Sequence, residues 1–402
     1  MYDFAVVGGR VAGAATAIHL ARRGYRVALI DRERQPRPTL STHVFGDWEA
    51  FAPLGVLDDP RMHSAPPMSR FRTDIEGCVV EAGMVATPYA RALRREVLDP
   101  LLRERAAAFD GVDLLDGRRV GGLLWERDRV TGVRLESGHG ETRLAARVVV
   151  GADGRNSLVA RQAGAAAYLR RPKVRAAYYA YFAGLAAAPL PALEYYWSGS
   201  DVVIVAPCDA GLHCVCVLPR MGDLPRWRGQ HTEMFGKRLD EIPTLAPRLA
   251  GAKRAGPVRG STNLGSYLRT PYGPGWALVG DAGANVHPCI GAGIDHAVTT
   301  AGLFGAAADR ALSGAGSWDA EMAEFQAARD ARIRPTLEAA IRLAGRPPIP
   351  PHTGPWLGLM LGMPGFGHDL GTKAVDVMRL LVGDEQMRRL ESMMPPAMGD
   401  RS

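Results

Sequence analysis

Continuous apolar runs and runs that alternate with polar residues divide the 402 residues into two textures. Phe4-Ala5-Val6-Val7 has no polar face and stops at Gly8-Gly9; an Ala-rich stretch continues to Arg23, Gly24 ends it, and Arg26-Val27-Ala28-Leu29-Ile30-Asp31 is apolar again. That succession predicts a buried strand, a tight turn, a helix and a second buried strand, one βαβ unit. Leu93, Val97, Leu98, Leu101 and Leu102 recur at helical spacing within 88–108, and alternation around 119–125 and 130–135 predicts a hairpin. Arg147-Val148-Val149-Val150 reads as a further buried strand running into Gly151-Ala152-Asp153-Gly154. From about 166 to 265 the pattern shortens to aromatic and β-branched alternations at 176–182, 193–197, 202–206 and 212–218, which predict an antiparallel sheet inserted into the first domain. Trp276-Ala277-Leu278-Val279 returns to the buried-strand texture, followed by Gly280-Asp281, a loop and a helix from about Gly293. Past 346, Pro347, Pro348, Pro350 and Pro351 lead into a Leu- and Met-rich stretch, which is expected to form a helical lid or packing segment beside the inserted sheet.

Composition narrows the class. A chain of this length exceeds the usual single core, so two joined lobes, or one dinucleotide domain with a large insertion, are expected. Hydrophobic residues at 47% and charged residues at 23% are ordinary for a globular enzyme. The formal charge is +7, yet Lys occurs only at 173, 237, 253 and 373, so 45 of the 49 basic residues are Arg. They are scattered and not interleaved with aromatic residues, which argues against nucleic-acid binding; the mild positive excess suits an anionic reductant or acidic substrate. Cys78, Cys208, Cys214, Cys216 and Cys289 form no CxxC and no zinc spacing, so no metal site is expected and the thiols fit a reduced compartment. No basic-plus-apolar leader opens the sequence and no apolar run is long enough to span a bilayer. A soluble, cytoplasmic protein without a membrane partner, monomeric or homodimeric, is the expectation.

The chemistry-bearing residues stand at the ends of the predicted buried strands. Gly8-Gly9-Arg10-Val11-Ala12-Gly13 opens a helix, and Asp31 closes the next strand 18 residues after Gly13. Gly8 permits the tight turn, Gly13 lets helix and strand approach, the helix N-terminus receives a pyrophosphate, and Asp31, with Arg32 beside it, is placed for ribose hydroxyls. Arg10 stands where the dinucleotide pattern has its second glycine, so its side chain must point away or wrap onto the phosphates. Further signatures are Arg95-x-x-Leu98-Asp99 on a helix, Gly151-Ala152-Asp153-Gly154-Arg155-Asn156-Ser157 after a buried strand, and Gly280-Asp281-Ala282-Gly283 with Pro288-x-x-Gly291-Ala292-Gly293-Ile294-Asp295.

Their order and spacing resemble the FAD-dependent monooxygenase superfamily of p-hydroxybenzoate hydroxylase, which also holds the geranylgeranyl reductases and the flavin-dependent halogenases. The resemblance covers residues 1–165 and 266–310. It implies an α/β fold: a Rossmann-like FAD-binding domain in three parts (1–72, 90–165 and 266–345), an inserted antiparallel β-sheet substrate domain (73–89 and 166–265), and a C-terminal helical segment (346–402). By the same resemblance Arg95 contacts the pyrophosphate side of FAD, Asp281 binds a ribityl hydroxyl, and Asp153 lies between FAD and a transient NADPH or NADH site. Pro288 resembles the proline beside flavin C4a, where peroxide forms, and Gly291, Gly293 and Ile294 belong to the loop whose amides face the pyrimidine edge of the ring. Position 292 is Ala where the family often has Gln, and 295 is Asp where it often has Asn.

A second dinucleotide fingerprint is absent, so reducing equivalents are expected from transient NAD(P)H or a separate flavin reductase. The tryptophan-containing halogenase motif and its active-site lysine are missing, while Tyr195-Tyr196-Trp197 with Ala206-Pro207 is a distant echo of the reductases. His287, beside Pro288, is the candidate acid or base, with Pro288 as its catalytic neighbour. His43, His213, Tyr196 and Trp197 are the candidate substrate contacts, although a lone histidine is more often a structural hydrogen-bonder. The expected activity is NAD(P)H-driven insertion of one oxygen atom into an aromatic or polyketide-like small molecule. The alternative is FAD-dependent reduction of an isoprenoid-like alkene.

Overall fold

A computed structural model describes residues 1–350 except 35–37, 85, 138–139 and 187, together with Thr353. Two sheets organise it. In the first, Val112–Asp116, Val27–Asp31, Tyr2–Val7, the end of Gly140–Gly151 and Trp276–Leu278 run parallel in that spatial order, closed by antiparallel Tyr272–Gly273. Phe4 stands opposite Val27 and Val148, and Val6 opposite Leu29 and Val150; helices cover one face and a strand meander the other, so both faces are apolar. This is why the runs carry no polar period.

Helix Val11–Ala21 lies on one face between Arg95–Ala107 and Gly293–Leu312. The opposite face is covered by Arg119–Glu126, Arg129–Ser137 and the first half of Gly140–Gly151, an antiparallel meander of three strands where the sequence suggested a hairpin. The long third strand therefore serves two sheets, antiparallel over residues 140–145 and parallel beyond.

The inserted sheet runs Ala177–Ala183, Leu212–Leu218, Asp201–Pro207, Ala192–Ser198, Arg70–Ile75, Cys78–Gly83. All neighbours are antiparallel except Ala192–Ser198 with Arg70–Ile75, which are parallel. Period-two alternation sends Tyr179, Tyr195, Trp197, Ile204, Cys214 and Cys216 to the inner face. Ala180, Tyr196, Val203, Val205, Val215 and Val217 go to the outer face, where helix His231–Asp240 covers them with Phe235 and Leu239. The sequence texture had suggested only strands in this region. Helix Trp318–Gly345, capped by Ser317, packs along Gly293–Leu312 and reaches the inner face with Ala340, Leu343 and Ala344. Arg175, 2% exposed, fastens that end, its guanidinium donating to the carbonyls of Ala344 at 2.7 Å and Leu218 at 2.9 Å. Ile349 then donates its N–H to Gly199; apart from Thr353, the expected helical tail beyond 350 lies outside the described residues. Among the described residues no helix is long and apolar enough to cross a membrane.

Candidate cofactor and substrate site

Three strand ends meet at the glycine turn. Gly8 has φ +105°, and a Cβ there would stand 2.5 Å from the Ala152 carbonyl oxygen; a Cβ on Gly13 would stand 1.7 Å from the Gly8 carbonyl oxygen. Only bare backbone lets turn, helix and the 151–153 strand end converge so closely. A Cβ on Gly280 would approach the Ala12 methyl to 2.7 Å, which brings the 280–283 loop onto the same helix. Asp31 closes the turn from the other side: Gly9 N–H donates to its Oδ2 at 2.6 Å and Glu33 N–H to its Oδ1 at 2.8 Å. Arg32 beside it is exposed at the rim, 3.6 Å from Glu33.

The helix that begins at Val11 has no side-chain cap and no acidic residue in its first turn, so its N-terminal amides and the positive end of its dipole stay open to an anion. Arg10 is its N-cap residue, and its guanidinium extends toward Asp99, Nε to Oδ2 3.9 Å. Arg95 reaches the same buried carboxylate from one helical turn away, Nε to Oδ1 2.7 Å. The residue that departs from the glycine pattern is thereby drawn aside, and two guanidiniums border the groove. Asp281 sits half-buried across it. Burial raises its pKa, the fields of Arg155 and Arg95 act the other way, and its carboxylate has no hydrogen-bond partner among the described residues. Tyr267, which no sequence signal marked, donates to the carbonyls of Asp281 at 2.7 Å and Arg155 at 3.2 Å and so ties two motifs together. Asp153 is committed locally: Oδ2 accepts the N–H groups of Leu158 at 2.6 Å and Val159 at 3.3 Å.

At the far end of the groove, Pro288–Ile290 form a short turn, Gly291 takes φ +73°, and helix Gly293–Leu312 starts at Ala292 without a side-chain cap. Gly293 is exposed and faces open space, while Ile294 is buried. Asp295 in the first turn accepts the N–H groups of Gly46 and Asp47, each at 3.1 Å, and so clamps the 42–47 segment against this loop. Burial pushes its pKa up to about 7, against the pull of those two amides.

His287 is 1% exposed. Its Nδ1 accepts Cys289 N–H at 3.3 Å and its Nε2 stands 3.5 Å from the Arg175 carbonyl oxygen, so both ring nitrogens are engaged in holding the turn. Burial lowers its pKa to about 4, which removes the titration near neutrality expected of an acid or base. Pro288 is half-buried beside it.

The candidate substrate contacts separate by sheet face. Tyr196 and His213 share the outer face, away from the groove; Tyr196 is fully buried, donates to Glu194 at 2.5 Å and accepts from Arg72 at 3.1 Å and Arg248 at 2.6 Å. Trp197 is on the inner face, but three strands and two side-chain rows from Tyr181, stacked on Tyr195 and covered by Arg346. His43 alone of the four lies next to the 288–293 loop: it precedes Val44–Phe45, which pairs with Arg91–Ala92, and its neighbour Thr42 lies against Gly291. Tyr179 and Tyr181 stand over it, Tyr179 donating to the Thr39 carbonyl at 3.0 Å. Glu96, also unmarked by the sequence, has Oε2 buried without a hydrogen-bond partner among the described residues and lies within electrostatic reach of both tyrosines.

Comparison with known proteins agrees with this geometry. Residues 1–235, more than half the chain, match the family described as "FAD binding domain". Digeranylgeranylglycerophospholipid reductase 2 of Methanothermobacter thermautotrophicus is 28% identical over 77% of this chain and 78% of its own. Kynurenine 3-monooxygenase of Salinispora arenicola is 27% identical over 81% of this chain and 75% of its own. A flavin-dependent brominase superposes with TM-score 0.79 at 18% identity, covering 98% of each chain, a likeness of fold. The groove residues fit FAD: two helix ends without a side-chain cap, a turn no Cβ could enter, and between them a carboxylate without a hydrogen-bond partner among the described residues.

Proposed function

The chain belongs to the FAD binding domain family, and from that premise we propose that it is an NAD(P)H-driven monooxygenase acting on an aromatic or polyketide-like small molecule. The observation that carries the reading is the aromatic inner face, Tyr179 and Tyr181 with His43, set beside the loop that presents the open N-terminus of Gly293–Leu312. A planar substrate suits an apolar wall of rings with a few polar groups in it.

Asp31 would hold ribose hydroxyls, the amides that open Val11–Ala21 and Arg95 the pyrophosphate, and Asp281 a ribityl hydroxyl. Bound FAD supplies two-electron reduction and activation of oxygen. The uncapped first turn at Gly293 would offer amide donors and a positive dipole end to the ring, favouring negative charge on it. The sheet's inner face excludes water, and Asp295 holds the 42–47 segment in register with the loop. Reductant visits transiently, since the sequence carries one dinucleotide fingerprint.

A second reading, reduction of an isoprenoid-like alkene, is favoured by the relative of that chemistry, which aligns over 77% of the chain. Product mass separates the two. Purified protein with FAD, NADPH or NADH, air and candidate substrates is expected to add one oxygen atom with matching oxygen uptake; a gain of two hydrogens without uptake would install the alkene reductase instead.

A further inference from the structure

Tyr181 sits on the inner face of Ala177–Ala183, partly exposed, in the cluster that includes Ile290 of the 288–293 loop. Behind it His43 is fully buried at φ +64°, a left-handed conformation that side chains rarely adopt and that gathers at functional sites. Its N–H donates to Ser41 Oγ at 2.9 Å, and its ring meets Tyr179 edge-on at 6.2 Å between centroids. Among the described residues the side chain makes one polar contact, Nε2 to the Tyr181 hydroxyl at 2.9 Å, and Nδ1 is buried without a partner.

That asymmetry decides where the protons are. Burial, with Arg95 and Arg94 nearby, lowers the imidazole pKa to about 3, so the ring is neutral and carries one proton. On Nδ1 the proton would be a buried N–H with no acceptor, the defect native interiors avoid most; on Nε2 it is used, and only a lone pair at Nδ1 goes unfilled. His43 Nε2–H therefore donates to the Tyr181 oxygen, which leaves the phenol O–H to donate elsewhere. Burial raises the phenol's pKa, with Cys214, Glu96, Tyr179 and Cys208 acting in the same direction, so the group stays an O–H donor; the Arg94 guanidinium stands over its ring at 5.8 Å.

We infer that Tyr181 is the hydrogen-bond donor that selects a ring-conjugated acceptor oxygen, a carbonyl or a phenolate, on the substrate, and that His43 is the positioning residue that aims it. The inference rests on the monooxygenase reading for the place of the flavin, and deepens it by naming the substrate class. A hydrocarbon of the same shape would leave the O–H unpaired in a desolvated pocket, the situation that gives polar sites their large discrimination.

The test uses the FAD-loaded full chain and two probes, 1-tetralone and its oxygen-free counterpart tetralin, each titrated against the flavin absorbance. The ketone is expected to bind about tenfold more tightly, the factor that corresponds to about 1.4 kcal/mol. Tyr181→Phe should bring the two within about twofold by losing ketone affinity. His43→Leu should do the same, while His43→Gln, which returns an N–H near the Nε2 position, should restore the preference; a purely structural histidine would show no such rescue. Equal binding to the unmodified protein, no perturbation by either probe, or a preference that survives Tyr181→Phe overturns the assignment. NAD(P)H-driven oxygen uptake by the same samples reads the monooxygenase proposal separately. Uptake without ketone preference rejects Tyr181 alone, and preference without uptake rejects the reaction alone.

Discussion

In the proposed reading Asp281 and Asp31 both hold FAD, and they should fail differently. Among the described residues the Asp281 carboxylate has no hydrogen-bond partner, and it is held against a desolvation penalty, so Asp281→Ala is expected to leave the apoprotein's melting temperature unchanged or slightly raised. FAD affinity should fall by roughly ten- to a hundredfold, the range for losing a hydrogen bond to a charged acceptor. Asp31 already accepts the amides of Gly9 and Glu33, so Asp31→Ala should lower FAD affinity and apoprotein stability together. Flavin titration with thermal unfolding of both apo variants checks the pair; equal stability losses would place Asp281 in the turn and not in the site. His287 shows where residue-level reading fell short. The family resemblance puts it by sequence at the reacting edge, but the Arg175 carbonyl and Cys289 amide that occupy its ring come from distant and local backbone that no side-chain pattern reports.

The elements differ in how legible they were. The parallel strands announced themselves as apolar runs because both faces are covered, and the glycine turn because its spacing is dictated by backbone contact. Which face of the inserted sheet looks at the groove was not readable, since Tyr195, Tyr196 and Trp197 are all buried and only the alternate cover, helix His231–Asp240 outside and the Pro288 loop inside, tells them apart. Two glycines of the cofactor motifs make opposite predictions. Gly13→Ala drives a methyl into the Gly8 carbonyl, so little soluble protein of any kind is expected. Gly293→Ala meets open space at a helix start, where Ala is the better residue by up to about 1 kcal/mol, so the apoprotein should keep or gain stability. If the ring lies there, FAD binding should nonetheless weaken. An unaltered flavin affinity in Gly293→Ala would move the cofactor away from that helix end.

At the scale of the whole molecule, acid sensitivity should come from imidazoles held neutral. Burial is the first cause in each case, lowering His19, His287 and His296 to about 4 and His43 to about 3. Unfolded, these rings bind protons near pH 6.5, so the unfolded chain takes up more protons than the folded one below that pH. Their contribution is whole above about 6.5 and is lost as pH falls toward about 4, each ring accounting for roughly 3 kcal/mol at the low end. Asp295 works the other way, its part of the stability declining as pH rises from about 4 to about 7. Comparing unfolding of His287→Gln with the unmodified protein at each pH cancels that opposing term, and the gap between them is expected to shift in the variant's favour by that order from pH 7 to pH 4; a gap independent of pH would show that His287 titrates normally. The two-piece insertion bears on inheritance. Arg70–Ile75 lies hydrogen-bonded beside Ala192–Ser198, and Arg72 reaches the Glu194 that Arg248 also holds. The inserted sheet cannot be traded between relatives by a single crossover: a chimera joined between residues 84 and 176 sets one parent's edge strands against the other's centre. New pockets in such a lineage arise by drift within the sheet, or by two exchanges that travel together.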